Sequence, residues 1–216
     1  MPVSIVMINM GYPNMDFLVR EVRAVTDGPL RIVRLGSCAG LRADLPVGSV
    51  AVASEGSVFI RQNPDAWLAG PAITTIEPSY VFQGLAPADE GLSRGVLKEL
   101  EHALVGEGVR VVGCLNASTD SFYSSQGRLD TNFEDRNEDL IESLIARHPS
   151  VGSFEMETFQ LFHLARVCRK STVHASAASV VLANRIKGNA IAVEKIAEIE
   201  RRAGEAVLRA ITDASD

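Results

Sequence analysis

The sequence has little of what marks a special environment. Its three cysteines, Cys38, Cys114 and Cys168, show no C-x-x-C spacing and have no His pair beside them. That excludes a disulfide framework and a zinc site, and a reducing, cytoplasmic setting is expected. Lys and Arg number 21 against 27 Asp and Glu, a formal net charge of -6, so the basic face that nucleic acid requires is missing. No apolar run approaches the ~18 residues of a membrane span. Met1 to Val6 carries no basic region or cleavage site of a secretory signal. There is no internal repeat.

What is present is enough for one core. With 216 residues and 46% hydrophobic content, residues 1–216 read as a single domain. Arg31 to Gly36 is short, β-branched and closed by glycine, a buried strand emptying into a loop of small residues. Val109 to Leu115 and Thr172 to Ala183 have the same character, and all three read as central strands. Helical periodicity falls between them. Met15, Leu18, Val22 and Val25 share a face behind Pro13, with Asn14 as the expected cap. Ser93 precedes Val96, Leu97, Leu100 and Leu104 in a helix expected to stop at Gly106. Leu140 to Ile145, Leu161 to Cys168 and Ile196 to Ile211 give three more. Ser54 to Asp89, rich in turn residues around Trp67, reads as hairpin strands with surface loops. The alternation predicts an α/β fold, a mixed sheet flanked by helices with ligand loops at strand ends.

Three constellations carry chemistry. Arg34-Leu35-Gly36-Ser37-Cys38-Ala39-Gly40 delivers a guanidinium, a hydroxyl and small residues into one loop. It forms either an oxyanion site with backbone N–H groups as a nest, or a plain turn with Arg34 in a structural ion pair. Gln126 and Arg128, two apart, point the same way if extended and offer donors and an acceptor that match the edge of a pyrimidine dione, with Phe122 as a stacking face. The alternative is a solvated serine-rich turn. In Glu155-Met156-Glu157 an extended backbone projects both carboxylates together, toward vicinal hydroxyls, with Met156 facing away. The alternative is an acidic helix start stabilised by the macrodipole. Cys38 lacks a local histidine and is expected to be a small buried residue, not a nucleophile. No metal site is expected, and His102, His148, His163 and His174 read as dispersed packing or surface residues.

Taken together, Arg34 to Ser37, Asp120 to Tyr123, Gln126 to Asp130, Glu155 to Glu157 and Asn184-Arg185 resemble, in order and approximate spacing, the uridine phosphorylases of the nucleoside phosphorylase superfamily. The eukaryotic type is the nearest. The resemblance implies phosphorolysis of uridine to uracil and ribose 1-phosphate, with inorganic phosphate as co-substrate and no cofactor. It places Arg34 and Ser37 on phosphate, Met156 and Glu157 on ribose, and Phe122, Gln126 and Arg128 on the base, with Arg185 a loop contact. Purine-specific relatives tend to carry Ser-Asp where this chain has Asn184-Arg185, which implies a pyrimidine ligand. Relatives form dimers or hexamers, so a homo-oligomer is implied. Met1 to Val6 aligns with a middle strand of the family. The opening strand, with its Gly-Asp-x-x-Arg phosphate loop, is therefore expected to be lacking, and Cys38 and Ala39 replace a hydroxyl residue and a glycine. Weakened phosphate binding is expected from both departures. An inactive nucleoside-binding or regulatory paralogue that pairs with a complete subunit, and a nucleosidase of the same fold, are the alternatives.

Overall fold

Strand β8 (Val173–Asn184) organises the molecule because both of its faces are covered. Ala178 and Val180 pack on one side with Val96 and Leu100 of α2 (Glu90–Leu104) and Ala203 and Val207 of α5 (Val193–Asp213). Ala175 and Ala177 pack on the other with Met15 and Val19 of α1 (Tyr12–Val25) and Leu161 and Phe162 of α4 (Thr158–Val167). Side chains alternate along a strand, so a strand buried on both faces reads as an unbroken run of small and β-branched residues. Burying one Leu or Val of this kind contributes roughly 1.5–3 kcal/mol.

The computed structural model describes residues 2–67 and 78–213. Its mixed sheet has the order β4-β3-β6-β7-β1-β8-β2-β5, with β9 (Asn189–Ala190) beside β8. The strands are β1 (Leu30–Gly40), β2 (Val50–Val52), β3 (Ser57–Gln62), β4 (Tyr80–Ala86), β5 (Val111–Gly113), β6 (Leu115–Thr119) and β7 (Val151–Glu155). The expected α/β class, with helices on both faces, is observed. A third helix, α3 (Leu140–Arg147), packs Leu140 and Leu144 onto the half of the sheet formed by β3, β6 and β7.

Several local expectations are corrected. Gly11, not Asn14, caps α1, and the Asn14 amide donates to the Met10 carbonyl at 2.7 Å. The buried row of α1 is Met15, Val19 and Arg23, while Val25 is exposed, because a four-residue ridge meets α4. Asp89 caps α2, accepting the Leu92 N–H at 2.8 Å, and Ser93 lies inside, bonded to Ser176 at 2.9 Å. Beyond α2 a 3-10 turn carries the chain through Gly106 to Gly108, whose φ of 76° only glycine adopts readily. The single strand expected over Val109 to Leu115 breaks at Cys114 into β5 at a sheet edge and β6 in its centre. The hairpin expected within Ser54 to Asp89 is the antiparallel pair β3 and β4, although residues 68–77 of that stretch lie outside the described residues. Residues 2–9 form no strand. Among the described residues no strand pairs with this segment, and Ile5 and Met7 are 83% and 96% exposed.

Candidate active site

β1 and β7 touch at two residue pairs, Ala39 with Phe154 and Gly40 with Ser153, and run antiparallel there. On their outer sides β1 is parallel to β8 and β7 is parallel to β6. Strand direction therefore reverses between two half-sheets, and β1 runs on past the end of β7. A cavity of about 560 Å³ opens where they part, as crevices do at such reversals in open sheets. A wider hollow of about 930 Å³ between α2 and α5 is walled by Arg201, Arg202 and Glu205. Those charges are already salt-bridged on the surface.

Arg34 projects from β1 at the mouth of this gap. Its guanidinium folds back over Gly36, where a Cβ would lie 2.6 Å from both Nη atoms. The Arg-x-Gly spacing is thus a steric requirement, since positions i and i+2 of a strand share a face. Nη1 donates to Ser179 Oγ at 2.9 Å, and Nη2 to Glu157 Oε2 at 2.5 Å and toward Glu155 Oε2 at 3.4 Å. Gly36→Ala is expected to push the guanidinium off this seat while the extended backbone survives. One charge-assisted hydrogen bond carries about 1.5–3 kcal/mol, so the urea midpoint of unfolding should fall correspondingly. An unchanged midpoint would show that Arg34 tolerates displacement.

The two carboxylates do different work. Glu155 accepts from Asn116 Nδ2 at 2.7 Å and from Ser118 Oγ on one oxygen, and from the Glu157 and Thr158 N–H groups at 2.8 and 3.0 Å on the other. Burial opposes its ionisation, but Arg34, Ser118, the Glu157 N–H and Asn116 outweigh that and hold its pKa below the ordinary carboxylate value. Glu155 is a fixed anion at the start of α4 with no oxygen to spare. Glu157 accepts from Arg34 and from the Gly11 N–H at the N-terminus of α1. Burial and the Glu155 charge raise its pKa against the pull of Arg34 and Gly11.

The loop after β6 supplies a further part of the lining. Gln126 ends a 3-10 turn, Ser124–Gln126, and is 3% exposed. Its Nε2 donates to Oγ1 of Thr119, the last residue of β6, at 3.3 Å, and its Oε1 accepts from Arg128 at 3.4 Å. The Arg128 guanidinium lies 4.0 Å from the Phe122 ring centroid and donates to the Phe122 carbonyl at 3.0 Å. Partial burial lowers the Arg128 pKa. Arg185 donates to the Gln126 and Gly127 carbonyls at 3.0 and 2.9 Å.

A family model described as the phosphorylase superfamily matches residues 1–214. The chain belongs to the phosphorylase superfamily. A curated relative, the uridine phosphorylase of Thermococcus kodakarensis, is 27% identical over 187 residues, covering 86% of this chain. The chain spans 59% of that relative's length. A solved structure from a structural and catalytic analysis of two diverse uridine phosphorylases in the oomycete Phytophthora capsici has a TM-score of 0.91 and 39% identity. That match covers 97% of this chain and 76% of the other. A Trypanosoma brucei nucleoside phosphorylase shares the fold, with a TM-score of 0.74 at 16% identity, over 96% of this chain and 79% of the other.

Within this phosphorylase fold, Arg34, Ser37, Phe122, Gln126, Arg128, Met156 and Glu157 all line the one cavity between the half-sheets. Arg185 stands behind it, on the backbone of the loop that follows β6. The local geometry expected of three of these groups is corrected. Ser37 to Gly40 is not a loop with a nest but the end of β1, its backbone paired to β8 with a bulge at Cys38 and Ala39. Gln126 and Arg128 converge through the 3-10 turn and Gly127 at φ 60°, not through an extended segment. Met156 does not face away, because the chain turns into α4 directly after Glu155, and it lines the cavity beside both carboxylates. Cys38 is buried, as expected, and burial together with Cys114 and Glu155 pushes its thiol pKa far up. Asn184 serves structure, its amide donating to the Arg42 and Leu45 carbonyls. Sequence reasoning does not separate the role of Glu155 from that of Glu157, and it misses the partners Asn116 and Ser118. The available signal is the set of polar residues inside a buried strand at Leu115–Thr119.

Proposed function

We propose that the chain is a uridine phosphorylase, transferring the ribosyl group of uridine to inorganic phosphate to yield uracil and ribose 1-phosphate. The observation that carries this reading is the placement of charge. Among the described residues lining the cavity, the carboxylates are Glu155 and Glu157, both at the Arg34 end, while the loop wall offers Gln126 and Arg128. A purine leaving group is helped by an acid. A uracil leaving as an anion is helped by donors, and this wall supplies donors.

In this reading phosphate is held by Arg34 and Ser37, and Glu157 accepts from ribose hydroxyls with Met156 against the sugar. The C1′–N1 bond breaks as a phosphate oxygen bonds to C1′, and the electron pair of the broken bond leaves with the base. Gln126 and Arg128 stabilise that charge, and Phe122 flanks the ring. Holding both reactants in line supplies much of the remaining acceleration. No cofactor is required. The reading also makes the chain a cytoplasmic homo-oligomer, a dimer or hexamer, in which a second copy would cover exposed apolar side chains such as Ile5 and Phe17.

The experiment is a comparison of uridine with inosine at saturating phosphate, with products separated by chromatography. Uracil and ribose 1-phosphate are expected in equal amounts from uridine, and inosine is expected to remain intact. Preferential cleavage of inosine would overturn the reading.

A further inference from the structure

We infer that Asn137, on the segment between Gly127 and α3, is a positioning residue for base recognition, the splint that sets Gln126 and Arg128 against the departing base. It stands outside the cavity lining and is 3% exposed. Its Nδ2 donates to the Ser124 carbonyl at 2.9 Å and to the Arg128 carbonyl at 3.2 Å. These carbonyls lie at the two ends of the turn that carries Gln126, so one amide clamps both ends. The Asn137 backbone carbonyl in turn accepts the Leu140 N–H at 3.2 Å, tying the splint to the start of α3.

Two backbone features show that this contact is built in. Gly127 has φ 60°, and a Cβ there would lie 3.3 Å from Ile141 and 3.5 Å from the Asn137 carbonyl. The Asn137 carbonyl is thus at ordinary contact distance, and it is the left-handed φ of the turn that favours glycine here. Arg136 is the one non-glycine residue at positive φ among the described residues, at 52°. L side chains rarely adopt that conformation, and it persists where surroundings impose it, often at functional sites. Here the Arg136 side chain is tied down by the Ala66 carbonyl at 3.0 Å and Glu134 at 2.9 Å. The left-handed step at Arg136 immediately precedes Asn137, whose amide reaches into the turn.

The inference rests on the proposed uridine phosphorolysis, and its test separates the two. Asn137→Ala removes the clamp, and Asn137→Asp keeps its shape while replacing the donating amide by an acceptor. Turnover is measured with uridine and with 5-fluorouridine, whose electron-poor base departs with less help. A displacement of ~1 Å at reacting groups can cost on the order of 100-fold. Both variants are therefore expected to lose kcat on uridine far more than on 5-fluorouridine, with the phosphate KM unchanged. Amide exchange over Ser121 to Arg128 should speed up while the urea midpoint of the whole chain changes little. A uridine to 5-fluorouridine ratio equal to wild type, or unchanged exchange in that segment, overturns the inference. Should wild type fail to cleave uridine, the proposed function falls, and the exchange measurement alone decides the role of Asn137.

Discussion

Arg34→Met is expected to lower the stability of the fold by about 3–5 kcal/mol at neutral pH, because it leaves two carboxylates in the interior without their cation. Side-chain exposures of 11% for Arg34, 3% for Glu155 and 7% for Glu157 place all three groups away from water. Met fills much of the volume, so the loss reports charge and not a cavity. Against a total of about 5–15 kcal/mol for a domain, this is a large fraction, to be read as a shift in urea midpoint. The effect carries a sign in pH. In wild type the Glu155 pKa lies below its ordinary value of 4.5. Its contribution is present above 4.5 and lost as pH falls through the folded value. Removing Arg34 takes away a cause that lowers the pKa of both Glu155 and Glu157, so each binds its proton more tightly in the variant than in the wild type, and the penalty fades as pH falls through those higher folded values. The gap between wild type and variant should therefore narrow on acidification. Adding Glu157→Gln to Arg34→Met should restore part of the loss, as expected of groups in one network. A midpoint that scarcely moves at neutral pH would mean that the two carboxylates are solvated.

Gln126→Leu is expected to lower kcat on uridine by about 10²–10³-fold, the cost of losing one preorganised donor aimed at developing charge. Leu has nearly the same volume, and the bonds removed from Gln126 within the protein are long, 3.3 and 3.4 Å, so folding should change little. The loss should appear equally in kcat and kcat/KM, the signature of an interaction made in the transition state. The phosphate KM should hold, because the Gln126 side chain bonds to Thr119 and Arg128 and not to Arg34 or Ser37. A loss confined to the uridine KM would instead make Gln126 a residue of ground-state binding.

The parts of the molecule that depend on neighbours in sequence are legible there. The run of Ala, Ser and Val in β8 reports burial on both faces, and the adjacency of Glu155 and Glu157 in sequence brings both to Arg34, although the chain turns after Glu155 instead of staying extended. What escapes depends on distant partners. That Glu155 is saturated follows from Asn116 and Ser118 on β6, which no local pattern places beside it. Gln126 and Arg128 are rightly paired for a wrong reason, since Gly127 reads as a loop glycine without revealing its left-handed turn. The N-terminal apolar residues have strand propensity, yet propensity alone supplies no hydrogen-bonding neighbour. The continuation of β1 through Ser37 to Gly40 is hidden because small residues suit both a loop and a crowded central strand.

The central claim is that one cavity joins phosphate to a pyrimidine nucleoside, and the initial rate of uracil release from uridine as a function of phosphate concentration tests it most directly. The account predicts a rate that is zero without phosphate, rises to saturation with it, and yields one ribose 1-phosphate for each uracil. Uracil released at the same rate without phosphate, or not released at any phosphate concentration, would contradict it.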